Sequence, residues 1–297
     1  MPTAIPYRRD LTFAYGRADS VAPLVRRVIA RNPSAFTFHG TGTYIVGRGR
    51  VAVIDPGPDD APHVEALRAA LAGETVTHIL ITHTHRDHSP AAAALKALTG
   101  APTQGFGPHP TRLGSVEAEE GGDRHFVPDR RLAEGDVVAG PGWTLEAIHT
   151  PGHLSNHLCF ALREARALFT GDHVMGWSTS VVSPPEGNMA HYVASLTKLL
   201  ARDDQVYYPT HGPPVPEPHD LVRAYIAHRR EREEQILAGL RAGLTTIPAL
   251  VASMYRDVPR ALHRAASRSV LAHRRALGAR GRVAAAGEAA RAEYRGR

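Results

Sequence analysis

Cysteine is nearly absent from this 297-residue chain. The single copy, Cys159, excludes an intramolecular disulfide and any cysteine-based zinc finger. Lysine is almost as scarce: Lys96 and Lys198 are the only two, so arginine carries the positive charge. No apolar run approaches the roughly 18 residues needed to cross a bilayer, so no membrane partner is expected. The first ten residues hold Arg8, Arg9 and Asp10 but no apolar stretch, which argues against a secretory signal and for a cytoplasmic location. Hydrophobic residues at 43% against charged residues at 22% exclude a disordered chain. Histidine is plentiful, with 18 copies.

Charge is unevenly spread. Residues 1–222 hold 19 Lys+Arg against 23 Asp+Glu, whereas residues 223–297 hold 16 Arg against 6 acids. The net charge of +6 therefore arises wholly in the last quarter. A basic region suits a polyanion, because phosphate neutralisation drives nucleic-acid affinity. The plainer alternative is a solvated, Arg-rich helical surface.

Hydrophobic patterning over the first two-thirds alternates strands and helices. Residues 44–46 and 51–54 flank a Gly47-Arg48-Gly49-Arg50 turn and predict a hairpin. Strands are expected at 76–82, 143–148, 158–162, 167–170 and 205–208, and helices at 64–71, 90–98 and 189–200. Ser89 is expected to cap the 90–98 helix, with Pro90 at its first position. This order indicates a layered α/β domain. Gly212-Pro213-Pro214-Val215-Pro216-Glu217-Pro218 predicts an irregular boundary, with one domain at 1–216 and a second at 217–297. Helices at 220–241, 246–255 and 259–277, then a short hairpin within 278–294, fit a winged-helix-like arrangement.

The strongest chemical signal is Thr82-His83-Thr84-His85-Arg86-Asp87-His88-Ser89, on a strand-to-helix turn. Four potential ligands within six residues can serve two neighbouring cations. Imidazole and carboxylate suit Zn²⁺, with Mn²⁺ or Fe²⁺ as alternatives. His153, Asp172 and His211 each follow another strand beside Gly or Pro, where α/β folds assemble sites. The full set is His83, His85, Asp87, His88, His153, Asp172 and His211. It is enough for two metals sharing one carboxylate. His63, His109, His125, His219, His228, His263 and His273 read as ordinary surface-loop histidines. Cys159, inside an apolar strand, reads as packing.

These motifs resemble the metallo-beta-lactamase superfamily, whose His-x-His-x-Asp-His signature is matched by residues 83–88. Later family elements resemble Thr150-Pro151-Gly152-His153, Thr170-Gly171-Asp172 and Pro209-Thr210-His211-Gly212. The resemblance implies an αββα sandwich with a C-terminal winged-helix-like α-helical domain. By analogy, one cation takes His83, His85 and His153, the other takes Asp87, His88 and His211, and Asp172 bridges them. The tail, including 228–237 and 262–275, is similar to the beta-lactamase-like-protein-2 branch, whose animal member is an endoribonuclease selective for single strands. His85 stands where the oxygen-reducing diiron branch has Glu, which favours hydrolysis.

The implied activity is that of a binuclear zinc-dependent hydrolase using a metal-bridging hydroxide. Asp172 would hold the cation pair, and Asp87 would accept a proton. Two substrates fit: single-stranded RNA, or a small-molecule ester or thioester of the hydroxyacylglutathione type. The contrasting class is a nucleic-acid-binding regulatory protein with a non-catalytic metallo domain, reading DNA through Arg260, Arg264, Arg268, Arg274 and Arg275. Winged helices also pack or dimerise, so a homodimer is a further expected partner. Candidate pocket or supporting residues are Thr82, Thr84, Ser89, Thr150, Ser155, His157, His173, Trp177, Ser178 and Thr179. His157 and His173 are read either as proton donors to a leaving group or as structural hydrogen-bond partners.

Overall fold

Alternation along the strands decides which layer each residue enters. In the computed structural model, which describes residues 3–110 and 121–283, two sheets lie face to face. The first has seven strands in sequential order: β1 (Ala18–Ala22), β2 (Val25–Ile29), β3 (Gly42–Val46), β4 (Arg50–Ile54), β5 (Thr75–Leu80), β6 (Thr103–Gly105) and β7 (Arg130–Arg131). The second runs β13 (Val215–Pro216), β12 (Val206–Pro209), β11 (Ala167–Gly171), β10 (Leu158–Leu162), β9 (Trp143–His149) and β8 (Val137–Gly140).

On β4, Ala52 and Ile54 face the second sheet, while Val51 and Val53 face outward. On β10, Leu158, Phe160 and Leu162 face inward, while Cys159 and Ala161 face out. The outer face of the first sheet is covered by α1 (Ala61–Ala70) and α2 (Ala91–Thr99) through Leu67, Leu71, Ala92 and Leu95. The outer face of the second is covered by α3 (Met189–Leu200) through Tyr192, Leu196 and Leu199. The result is an αββα sandwich. Burial of Cys159 pushes its thiol up to about 12, which suits packing and not reactivity.

Three helices follow: α4 (His219–Arg241), α5 (Ile247–Met254) and α6 (His263–Ala279). Leu221, Val222, Tyr225 and Ile226 of α4, with Ala272 and Ala276 of α6, share the core formed by α3 and the second sheet. Ile236, Leu250, Val251, Val270 and Leu277 form a separate small core among the three helices. Residues 284–297, which include most of the expected wing hairpin, lie outside the described residues. No helix among the described residues is long and apolar enough to cross a membrane.

Several expectations need correction. The proline-rich stretch is not wholly irregular: Val215 and Pro216 pair antiparallel with Tyr207 and Val206, at a sheet edge where proline is tolerated. The 259–277 helix is broken, with a 3₁₀ turn at Arg260–Leu262 before α6 begins. Ser89 does not cap α2; its Oγ donates to Asp123 Oδ2 at 2.7 Å, and Pro90 occupies the cap position. Among the arginines proposed to read DNA, Arg268 is 6% exposed and Arg274 donates to the Thr245 carbonyl at 3.0 Å. With α6 packed into two cores, little of that helix remains to enter a groove.

Phe160 sits fully buried between the sheets. Phe160→Ala is expected to destabilise the metal-free protein by about 3–5 kcal/mol, read as a lower urea midpoint.

Candidate metal centre

Five strand ends and one loop meet at one edge of the sandwich. The chain leaves the sheet beyond Ile81, whose backbone N still donates to the Gln104 carbonyl of β6 at 2.9 Å, because Thr82 finds its partner elsewhere. Thr82 donates from its backbone N to Asp55 Oδ1 at 2.8 Å and from its hydroxyl to Asp55 Oδ2 at 2.7 Å. The expected strand therefore ends before Thr82, and the freed turn presents His83, His85, Asp87 and His88. His153 follows β9, Asp172 follows β11 and His211 follows β12. Gly152 lets the second of these turns close. It has φ +146°, and a Cβ there would lie 2.3 Å from Tyr192 Cα.

The structure brings all seven donor residues together in two sets. In the first, His83 Nε2 and His85 Nδ1 are 3.0 Å apart, His153 Nε2 is 3.0 Å from His85 Nδ1, and His153 Nε2 is 3.3 Å from His83 Nε2. In the second, His211 Nε2 lies 3.0 Å from Asp87 Oδ2, and His88 Nε2 lies 3.5 Å from that same oxygen. Asp172 reaches both: Oδ1 is 3.4 Å from His211 Nε2 and 3.6 Å from His88 Nε2, while Oδ2 is 3.8 Å from His153 Nε2.

The outward ring nitrogens of His153, His211, His88 and His83 are each held by an acceptor, which turns a lone pair inward. His153 Nδ1 donates to the Val181 carbonyl at 2.6 Å, and His211 Nδ1 donates to the Gly40 carbonyl at 3.2 Å. His88 Nδ1 donates to Asp55 Oδ2 at 2.9 Å. His83 Nδ1 donates to Thr82 Oγ1 at 3.1 Å, whose own proton goes to Asp55. Three inward imidazole nitrogens at this spacing cannot all be satisfied by one another. They match the roughly 3.3 Å edge of a tetrahedron whose centre is about 2.0–2.1 Å from each nitrogen. The donor set fits a divalent cation on chemistry and on distance.

Charge divides the two sets. Burial holds His83, His85 and His153 below the ordinary histidine range, and neighbouring imidazoles add to this for His83 and His85. Burial would also lower His88 and His211, but the carboxylates outweigh it. Asp87, Asp172 and Asp55 hold His88 well above its usual value, and Asp172 with Asp87 brings His211 to about 10. Asp87 in turn is brought to about 2, because His88 and His211 overcome its burial.

The supporting residues divide. His157 accepts from the Asp172 backbone N at 3.2 Å and donates from Nδ1 to Thr150 Oγ1 at 2.8 Å, a structural bridge between two of the turns. His173 is buried with no hydrogen-bond partner for either ring nitrogen among the described residues, and burial pushes it down to about 3. Its ring therefore makes no structural hydrogen bond among the described residues. Ser155 is exposed and points away; its neighbour Asn156 turns inward and donates to Thr84 Oγ1 at 2.8 Å. Trp177 stacks on Phe38 at 4.9 Å and lies against Gly212, next to His211. Ser178 and Thr179 follow it, half-buried. Three histidines expected in surface loops are buried: His63, His109 and His273. His63 pairs with Thr43 Oγ1 and His109 Nδ1 with Thr84 Oγ1, each at 2.9 Å.

Sequence reasoning missed Asp55. Its carboxylate also accepts from Thr210 Oγ1 at 3.0 Å, so it joins β4, β5 and β12. Its only sequence signal is a polar residue at a strand end before Pro56-Gly57, the pattern that marked Asp172 and His211.

An αββα sandwich with histidine and aspartate donors at its strand ends defines a class of metal-dependent hydrolases. The chain belongs to the metallo-beta-lactamase superfamily, whose family model matches residues 37–211. A beta-lactamase associated winged helix domain matches residues 246–291. A lactamase-like protein, adaB, of Aspergillus niger is 32% identical over 258 residues, covering 81% of this chain and 76% of the relative. An atrochrysone carboxyl ACP thioesterase of Claviceps purpurea is 30% identical over 248 residues, covering 80% and 74%. A beta-lactamase domain protein from Burkholderia ambifaria shares the fold, with a TM-score of 0.76 at 22% identity over 93% of this chain and 92% of that one.

Two outcomes follow from this geometry. Asp55→Ala is expected to weaken zinc binding about 10–100-fold in chelator competition, because His88 loses its orienting partner. At pH 7 the metal-free His211, with its value near 10, carries a proton that a cation must displace. Calorimetric zinc titrations in buffers of different ionisation enthalpy should therefore register net proton release. Affinity should fall as pH falls.

Proposed function

We propose that this protein is a binuclear metal-dependent thioesterase. The observation that carries the reading is the sharing of Asp172 between the two donor sets, supported by relatives named as acyl-carrier thioesterases. His83, His85 and His153 would hold one cation, and Asp87, His88 and His211 the other. Zinc suits this set best, with manganese or iron as alternatives. A bound pair would lower the pKa of water and polarise the thioester carbonyl.

The chain's own groups do the rest. Asp172 directs one oxygen to each set and so fixes their separation. Asp87, with a 17% exposed side chain, is the most open of the seven and would accept a proton from an attacking water. The hydrogen bonds to Val181, Gly40, Asp55 and Thr82 keep the imidazoles oriented through the reaction. Phe38 and Trp177 form an apolar wall beside His211 on which an acyl group can lie.

Cleavage of single-stranded RNA is the second reading, favoured by the charge of residues 223–297. Several of those arginines are engaged within the fold: Arg229 and Arg268 are buried, and Arg280 pairs with Glu233 at 2.5 Å. The thioester reading therefore takes precedence.

The test is a parallel assay of zinc- and manganese-loaded protein on an acyl thioester, a lactoylglutathione-type thioester, single-stranded RNA, an acyl lactone and a chromogenic lactam. Thioester turnover should exceed that of the other substrates by about 100-fold or more, a barrier difference of about 2.7 kcal/mol. His83→Ala and Asp172→Ala should lose bound metal and turnover together. Full turnover by metal-depleted protein overturns the reading.

A further inference from the structure

The segment 173–181 links two parts of the metal centre. It begins beside Asp172 and ends at the carbonyl that orients His153. It contains no helix or strand, so its shape is imposed from outside. The Tyr192 hydroxyl donates to the His173 carbonyl at 3.0 Å and the Arg8 backbone N to the Gly176 carbonyl at 2.9 Å, and two side chains of α4 hold the stretch nearest Val181. Tyr225 directs its hydroxyl at the carbonyls of Met175 and Ser178. Arg229, one turn further on, donates from Nη2 to the Ser180 carbonyl at 2.5 Å. The next carbonyl, that of Val181, is the one that accepts from His153.

Arg229 is an unusual group to find there. It is 4% exposed, lies over the Tyr192 ring at 5.2 Å, and has no carboxylate partner among the described residues. A buried cation without an acid is costly and adds little stability of its own. Its one strong contact is with the segment that supports the centre.

We propose that Arg229 and Tyr225 are positioning residues of the metal centre, through which the C-terminal helices set how tightly His83, His85 and His153 hold a cation. The proposal rests on the metallohydrolase reading above. If the Ser180 carbonyl loses its partner, the adjoining Val181 carbonyl is free to turn. His153 then loses the acceptor that keeps Nε2 3.0 Å from His85 Nδ1. Loss of such orienting contacts costs about 10–100-fold in metal affinity.

The test uses the full chain and the metal alone. Zinc affinity is measured by chelator competition for the wild type, Arg229→Gln, Arg229→Lys, Tyr225→Phe and Arg223→Gln. The ligand-field spectrum of each cobalt-loaded protein and the melting of each metal-free protein are recorded alongside. Arg223, on the exposed part of α4 and paired with Asp220, is the control. Arg229→Gln and Tyr225→Phe should bind one of two cations about tenfold more weakly and alter the cobalt spectrum. Arg229→Lys, which keeps a donor, should recover most of the affinity, and Arg223→Gln should match the wild type. Unchanged affinity and spectra, with only a lower metal-free melting temperature, overturn the proposal and leave the metal reading intact. A wild type that binds no cation removes both. If Arg229→Gln fails to fold, Tyr225→Phe, which deletes a single hydroxyl, decides by the same measurements.

Discussion

A single buried carboxylate organises this site. Asp55 accepts hydrogen bonds from Thr82, His88 and Thr210, and it does so from a left-handed backbone conformation with φ +50°. Aspartate is among the few residues that enter that region without large cost. The contacts end β5, turn the His83–His88 segment outward, fix the tautomer of His88, and tie in the turn that carries His211. Strand ends from both sheets are thus registered against one acid.

The arrangement gathers like groups that repel. Five imidazoles and two carboxylates within one buried edge are tolerable only if charge and lone pairs are matched. In the metal-free chain the carboxylate-rich side does this with protons on His88 and His211. The three-imidazole side has no comparable relief, because burial keeps those rings neutral and their nitrogens face one another. A divalent cation resolves both halves, which is the physical content of the family membership.

The C-terminal helices belong to the same argument. Half of α4 lies in the core shared with α3, and its polar side chains reach the loop beyond Asp172. Arginine there is as much an internal donor as a surface charge. A net charge counted along the sequence therefore overstates what is available to a polyanion.

Strands β3 to β5 and β9 to β12 and the helix over 189–200 were legible because hydrophobic period is a local property. So were the seven side chains that the structure brings together, since a dense histidine motif and three strand ends beside Gly or Pro can be read in place. Strands β1, β2, β6, β7, β8 and β13 were not, because they are short, interrupted by charged or small residues, or proline-bearing, and are held by neighbours. Asp55 escapes such a reading because its partners lie 27, 33 and 155 positions away. Ser89 matched the capping pattern, but a nearby acid, Asp123, took its hydroxyl. Asn156 takes the supporting place expected of Ser155, because the turn there leaves Ser155 exposed and buries Asn156 against Thr84. The sequence alone determined which residues carry candidate donor atoms and which long apolar runs become strands. Only the tertiary structure decided which polar groups face each other, since a hydrogen bond is set by distance and direction in space and not by spacing along the chain.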